Sequence, residues 1–161
     1  MHRTRQPTQP GGGITPRKPE EKKLETRGTH IVCELSGCRQ DLLTDVDHVR
    51  HIMENAARAS NAEILKVVFH RFEPQGVSGV IVLAESHLSI HTWPEAGYAA
   101  VDFYTCGDHT DPWLACEYAG RKLGASSMLT TEVKRGIAST NGQYTHVVHE
   151  HAGRAMAKRS A

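Results

Sequence analysis

Residues 85–107, ESHLSIHTWPEAGYAAVDFYTCG, decide the fold because polar and apolar side chains alternate on both sides of a short break. Successive residues of a strand point to opposite faces of a sheet. Leu88 and Ile90 therefore share one face, while Ser89 and the histidines on either side of it share the other. The break at 93–97 contains Pro and Gly, which are typical of turns. The pattern predicts a β-hairpin with one apolar and one polar face.

The rest of the chain supplies more strands and two helices around this hairpin. Alternation and helical periodicity predict strands at 29–35, 64–72, 76–84 and 126–133, and helices at 41–59 and 111–124. We expect Asp41 to cap the first helix and Pro112 to open the second. The order β-α-β-β-β-β-α-β predicts the α+β class: a two-layer sandwich in which an antiparallel β-sheet carries two main helices on one face.

Composition indicates one folded domain between two tails. A chain of 161 residues suffices for one domain with a modest core. Residues 1–28 are rich in Pro, Gly and charge, and they predict a disordered N-terminal tail. The domain is predicted at 29–136. Because the alternation stops after Gly136, residues 137–161 are predicted to form a loosely ordered C-terminal tail.

Charge, hydropathy and cysteine usage exclude several classes of protein. The net charge is +1, and the basic excess lies in residues 1–28, so the rest of the chain is slightly acidic. This balance argues against nucleic acid as a partner. Apolar runs of membrane-spanning length and a signal-peptide segment are both missing from the sequence. Four cysteines without a CxxC pair indicate reduced thiols, so we expect a cytoplasmic protein without membrane contact.

The polar face of the hairpin leaves three interpretations open. Ser86, His91 and Asp102 are the residue types of a hydrolase triad, but no nucleophile elbow surrounds Ser86. His87 and His91 lie four residues apart, which is roughly 13 Å along a strand and too far to share one metal ion. The third interpretation is an ordinary hairpin whose polar face contacts water.

An ordered set of motifs resembles the prokaryotic S-adenosylmethionine decarboxylases. The motifs are ESH at 85–87, SIHTWPE at 89–95, GYAAVD at 97–102 and TCG at 105–107, preceded by HIVCE at 30–34, HRF at 70–72 and GVSGV at 76–80. The likeness is close over residues 29–107 and looser at 111–113 and 134–136. Ala84 and Ala96 depart from the family pattern, but neither replaces a group that the chemistry requires.

The resemblance implies a self-cleaving proenzyme. The bond between Glu85 and Ser86 is expected to break, and Ser86 is expected to become a pyruvoyl group that forms a Schiff base with the substrate amine. Ser78 would stabilise the oxyanion of the processing step, and His91 would transfer the proton from Cα of residue 86. Cys106 would donate a proton to the decarboxylated carbanion. Neither a metal nor an added organic cofactor is expected.

The resemblance also implies the substrate and the partner. S-adenosylmethionine would yield CO2 and decarboxylated S-adenosylmethionine, the aminopropyl donor of spermidine biosynthesis. Phe72 and Trp93 match aromatic positions expected to hold the adenine or the sulfonium cation. Glu95 matches a carboxylate that can accept hydrogen bonds from the ribose hydroxyls, and Glu34 is a further candidate.

A second copy of the chain is the expected partner. We expect apolar residues from the third, fourth and fifth strands on the face that the helices leave uncovered. Burial of this face predicts a homodimer of cleaved protomers, each of two chains, with the active site near the interface.

Two other functions stay open. The first is a pyruvoyl decarboxylase of the same fold that acts on arginine or ornithine. The presence of Phe72, Trp93 and Glu95 argues against it because those substrates carry no adenosine. The second is a non-enzymatic oligomerising or regulatory module, which the intact Glu85-Ser86 pair and Cys106 disfavour.

Overall fold

The computed structural model describes residues 26–156, which form a seven-stranded antiparallel sheet and three α-helices. The predicted N-terminal tail lies outside these residues up to position 25. The elements, in chain order, are β1 (Gly28–Ser36), α1 (Gln40–Thr44), α2 (Val46–Ala59), β2 (Glu63–Arg71), β3 (Val77–Ala84), β4 (Ser86–Trp93), a 3-10 turn (Pro94–Ala96), β5 (Tyr98–Cys106), α3 (Pro112–Lys122), β6 (Ser127–Ala138) and β7 (Tyr144–Ala155). The strand order is β2-β3-β4-β5-β1-β6-β7.

The core lies between one face of the sheet and the two longer helices, α2 and α3. Alternate strand residues point towards the helices and are fully buried, among them Ile31, Leu35, Ile81, Leu88, Ile90 and Phe103. Each such side chain contributes about 1.5–3 kcal/mol of transfer free energy. The period of two therefore produces the predicted sandwich, and the prediction of an antiparallel sheet with two main helices on one face is confirmed. Within residues 26–156, none of the helices combines the length and apolar character needed to span a membrane.

The helix predicted at 41–59 is in fact two helices. Asp45 separates them because its backbone is extended, with φ −83° and ψ 111°. Its carboxylate accepts hydrogen bonds from the backbone N–H groups of Asp47 and His48, at 2.9 and 3.2 Å. Asp45 is thus the N-cap of α2, and the prediction that Asp41 caps the helix is wrong.

The prediction of a loosely ordered tail is wrong for residues 137–155. Strand β6 continues to Ala138, and β7 pairs with it in antiparallel register. Strand β7 lies at the sheet edge, and the side chains described from residue 144 to residue 151 are exposed. Because the described side chains of β7 contribute nothing to the core, burial imposes no alternation on its sequence, and backbone hydrogen bonds hold it in place.

The opposite face of the sheet, here called the open face, carries no helix within the described residues. Its apolar part is smaller than predicted. On β3, Val80 and Val82 are 42% and 40% exposed, and Leu129 on β6 is also exposed. On β4 and β5, however, the side chains on this face are mostly polar or aromatic, such as Ser89 and Asp102. An expected apolar face spanning the third to fifth strands is therefore confirmed for β3 alone.

Candidate active site

Ser86 begins β4 directly after a tight turn. Because Leu83 pairs with Ser86 across the hairpin, Ala84 and Glu85 form the connection between the strands. Glu85 is exposed and Ser86 is half-buried. The Ser86 hydroxyl donates a hydrogen bond to the backbone carbonyl of Tyr104 on β5. The bond that the sequence predicts will break thus lies in an exposed turn, with the serine side chain held against the neighbouring strand.

Cys106 lies near Ser86 at the same end of the sheet. It ends β5 on the open face, two residues after Tyr104. Burial, and next a hydrogen bond with the Cys106 thiol, raise the pKa of Tyr104. The Tyr104 ring lies against Gly28, where an added Cβ would come within 2.7 Å of a ring carbon. Only glycine admits this close approach. We call the region formed by Ser86, Cys106, Tyr104 and Gly28 the Ser86 end of the sheet.

A cation also reaches the Ser86 end. Arg135 on β6 places its guanidinium carbon 4.7 Å from the centre of the Tyr104 ring. Its Nη1 lies 3.4 Å from Nδ1 of His30 on β1. Burial first, and then the charge of His30, lower the pKa of His87 on β4. Sequence reasoning missed Arg135 as a site residue because β6 reaches this end only through the sheet order, and it missed Tyr104 although that residue lies in the predicted hairpin.

Ser78 and His91 form a hydrogen-bonded pair. They face each other across β3 and β4, and the Ser78 Oγ lies 2.7 Å from His91 Nδ1. Antiparallel register makes the two side chains direct neighbours on one face. The structure therefore brings together two of the residues predicted to act in processing.

The Ser78–His91 pair lies far from Ser86 in the same protomer. Ser86 and His91 are five residues apart on strand β4. At a rise of about 3.3 Å per residue, roughly 16 Å separates their Cα atoms. No side chain bridges that distance to transfer a proton. The role of His91 at residue 86 stays a prediction, and within one protomer the two residues lie at opposite ends of β4.

The predicted substrate-binding residues lie at this second end, here called the His91 end. Trp93 stacks on Tyr98 with ring centres 5.1 Å apart, and Phe72 follows β2 and is 47% exposed. Glu95, in the 3-10 turn, accepts a 3.1 Å hydrogen bond from the Gln75 amide. Two exposed aromatic rings and an accessible carboxylate are thus available to a ligand.

The Glu34 carboxylate already has a hydrogen-bond partner within the protein. The Tyr98 hydroxyl donates a hydrogen bond to its carboxylate, and this bond is the main reason that the pKa of Tyr98 is raised to about 12. The same Tyr98 stacks on Trp93. The contacts place Glu34 behind the ring that supports Trp93, so it can orient the aromatic pair.

The structure excludes the hydrolase triad. Asp102 accepts a 2.8 Å hydrogen bond from Ser89 and lies 3.5 Å from Nε2 of His30, rather than orienting His91. Ser89 was expected to contact only water on the polar face, whereas its side chain is half-buried and its hydroxyl donates a hydrogen bond to Asp102. Among residues 26–156, no three histidine, cysteine or acidic side chains are grouped so as to hold a metal ion.

Comparison with known proteins gives a consistent result. Residues 29–136 match the protein family described as S-adenosylmethionine decarboxylase. The chain is 56% identical to an S-adenosylmethionine decarboxylase proenzyme of Clostridium tetani over 114 residues, which cover 71% of this chain and 90% of that protein. It is 54% identical to the proenzyme of Syntrophomonas wolfei, with the same coverage.

A solved structure extends the likeness to the fold. The crystal structure of the adenosylmethionine decarboxylase from Aquifex aeolicus superposes with a TM-score of 0.60 at 31% identity, covering 86% of this chain and 98% of that one. The matched residues include both the Ser86 end and the His91 end. The chain therefore belongs to the S-adenosylmethionine decarboxylase family.

Proposed function

We propose that this protein is a self-cleaving, pyruvoyl-dependent decarboxylase that converts S-adenosylmethionine to decarboxylated S-adenosylmethionine and CO2. The product serves as an aminopropyl donor in spermidine biosynthesis, and the enzyme acts in the cytoplasm. One observation carries the proposal: in a chain of this family, Ser86 lies at an exposed turn with Cys106 beside it on the next strand.

The cleavage step uses Ser86 as an internal nucleophile. Its Oγ attacks the carbonyl carbon of Glu85, and the C–N bond breaks as an ester bond forms. A hydrogen bond from Ser78 stabilises the oxyanion. His91 then removes the proton from Cα of residue 86, and the Glu85 carboxylate leaves by β-elimination. Water converts the resulting dehydroalanine to a pyruvoyl group with release of ammonia.

Ser78 and His91 must come from a second protomer for this chemistry. Within one protomer the pair lies roughly 16 Å from Ser86. A second copy packed on the open face in the opposite direction would bring its own His91 end to the first copy's Ser86 end. The exposed Val80, Val82 and Leu129 supply apolar area for that contact. We therefore assign a homodimer of cleaved protomers with two shared sites.

Residue 86 and Cys106 act at two different steps of the decarboxylation. A pyruvoyl group at residue 86 supplies a ketone that condenses with the substrate amine and accepts the electrons of the breaking C–C bond. Ser86 fits this role because it is half-buried at the first position of β4, directly after the exposed Glu85, and its hydroxyl is held against β5. Cys106 holds the proton that is returned to the substrate α-carbon, and Tyr104 orients the thiol.

The His91 end of the partner holds the adenosine. Trp93 and Phe72 present ring faces that can stack on adenine or attract the sulfonium charge. Glu95 accepts hydrogen bonds from the ribose hydroxyls, in exchange for its present contact with Gln75. Glu34 fixes Tyr98, and through it Trp93, so its effect on binding is indirect.

A substrate panel tests the function. Purified, cleaved protein supplied with S-adenosylmethionine, arginine or ornithine should release CO2 from S-adenosylmethionine alone. Release from arginine or ornithine would favour the basic amino acid decarboxylase instead. An uncut chain on a denaturing gel that releases no CO2 from any of the three would favour the non-enzymatic module.

A further inference from the structure

Arg135 is an unpaired cation at the Ser86 end. Within the described part of the chain, no carboxylate lies within ion-pair distance of its guanidinium, whereas Lys134 beside it contacts Glu132 at 2.6 Å. Arg135 contacts the Tyr104 ring and approaches His30 at 3.4 Å. These contacts orient the exposed guanidinium, and among residues 26–156 most of its five N–H donors have no acceptor. Such a fixed, unpaired guanidinium is suited to bind an anion.

The guanidinium shares a neighbour, Tyr104, with the two groups that must contact the substrate α-carbon. Ser86 bonds to the backbone carbonyl of Tyr104, and Cys106 contacts the hydroxyl of the same tyrosine. Arg135 lies over the ring of that tyrosine. Its charge also contributes to lowering the pKa of His87, the residue after Ser86. Tyr104 is therefore a common neighbour of the nucleophile, the proton donor and the cation.

The chemistry of the substrate places its carboxylate at this point. The α-carbon of S-adenosylmethionine carries both the amine that reacts at residue 86 and the carboxylate that leaves as CO2. With the amine at residue 86 and the α-carbon within reach of the Cys106 thiol, the carboxylate, which is bonded to that α-carbon, lies next to both groups. Arg135 is the cation that contacts Tyr104, the neighbour that these two groups share.

We propose that Arg135 binds the α-carboxylate of the substrate and so distinguishes substrate from product. This assignment rests on the proposed decarboxylase function. The product lacks the carboxylate and loses the contact with Arg135, which weakens its affinity and assists its release. A guanidinium–carboxylate pair is charge-assisted and directional, so its loss is expected to lower substrate affinity about ten- to a hundred-fold.

Arg135→Met is the variant to test because methionine retains the aliphatic contact with Tyr104. Lys134→Met is the matched control, since it removes one positive charge from the adjacent position on the other face of β6. For each cleaved enzyme, KM for S-adenosylmethionine and the dissociation constant of decarboxylated S-adenosylmethionine, titrated by calorimetry, should be measured. Arg135→Met should raise KM about ten-fold or more and leave the product constant within about two-fold, while Lys134→Met should change neither.

A second measurement uses wild-type enzyme alone, so it depends neither on turnover nor on correct folding of the Arg135→Met variant. Wild-type enzyme should bind the methyl ester of S-adenosylmethionine about as weakly as it binds the product, because neither carries the carboxylate. Equal loss of substrate and product affinity in Arg135→Met would overturn the assignment of Arg135 but not the proposed function. An ester that binds as well as the substrate would do the same. Wild-type protein that neither cleaves nor releases CO2 would overturn the proposed function and this inference with it.

Discussion

Ser78 and His91 face each other across β3 and β4 with Oγ and Nδ1 2.7 Å apart, at the end of the hairpin opposite Ser86. His91 and Ser86 are five residues apart along strand β4, so at the usual rise per residue the pair and the serine are roughly 16 Å apart in one protomer. Ser86 and the Ser78–His91 pair thus lie at opposite ends of β4. The proposed self-cleavage therefore brings Ser86 of one protomer to the Ser78–His91 pair of another.

Cleavage is expected between Glu85 and Ser86. Mature wild-type protein should separate on a denaturing gel into pieces of 85 and 76 residues, and the C-terminal piece should resist Edman sequencing because its terminal amine is gone. Ser86→Ala should remain one chain and show no decarboxylase activity. An uncut wild-type chain with full activity would contradict the assignment of residue 86.

Cys106→Ala and His91→Ala should separate catalysis from processing. Cys106→Ala should still cleave, because the thiol acts on the substrate, but its kcat should fall by about 100-fold or more. His91→Ala should be impaired already in cleavage, as followed on a denaturing gel over time. The assigned proton donor would be wrong if Cys106→Ala kept the wild-type kcat.

The fold was largely predictable because the core obeys local periodicity. The alternation around Leu88, Ile90 and Phe103 sets strand faces without reference to distant residues. The N-cap was misplaced because Asp41 and Asp45 are equally good caps in sequence, and only the backbone decides between them. Strand β7 was missed because an exposed edge strand has no buried face to impose a pattern.

The candidate site was predictable only in part. Motifs close in sequence identified Ser86, His91 and Cys106, but the pairing of His91 with Ser78 rather than with Ser86 follows from the register of β3 and β4. Arg135 reaches the site only because β6 lies beside β1, and β1 beside β5. Contacts set by sheet order need the structure.

Asp102 should make stability depend on acid pH. Contact with His30, and then the hydrogen bond from Ser89, hold the pKa of Asp102 below its ordinary value in spite of burial. Because the folded-state pKa is the lower one, this stabilisation is present above the unfolded pKa of about 3.9 and is lost as pH falls through the folded pKa. The side chain is 39% exposed, so screening limits the effect to about 1 kcal/mol or less.

Urea unfolding at pH 6 and pH 3 measures this effect. Asp102→Asn should lose more stability relative to wild type at pH 6 than at pH 3. Asn in place of the exposed Asp108 is the matched control and should leave the difference between the two pH values unchanged. Equal losses for Asp102→Asn at both pH values would contradict the assigned stabilisation.

Gly28→Ala should destabilise the Ser86 end. The new Cβ would lie 2.7 Å from a Tyr104 ring carbon and 2.8 Å from the Thr105 carbonyl oxygen, so the ring must move. Overpacking of this kind costs about 1–3 kcal/mol, measurable as a lower urea midpoint. Gly153→Ala, whose Cβ would come no closer than 4.0 Å to the nearest atom, is the control. An unchanged midpoint for Gly28→Ala would show that Tyr104 tolerates the methyl group.

Complementation between two inactive chains tests the shared site most directly. The Ser86→Ala chain retains Ser78 and His91, and the Ser78→Ala/His91→Ala chain retains Ser86. The two chains carry different affinity tags and are co-expressed. Hybrid dimers are then purified through both tags in turn. The account predicts that each chain alone stays uncut, and that in the hybrids only the Ser78→Ala/His91→Ala chain is cleaved and S-adenosylmethionine decarboxylation returns. Purified hybrid dimers in which both chains remain intact and inactive would contradict it.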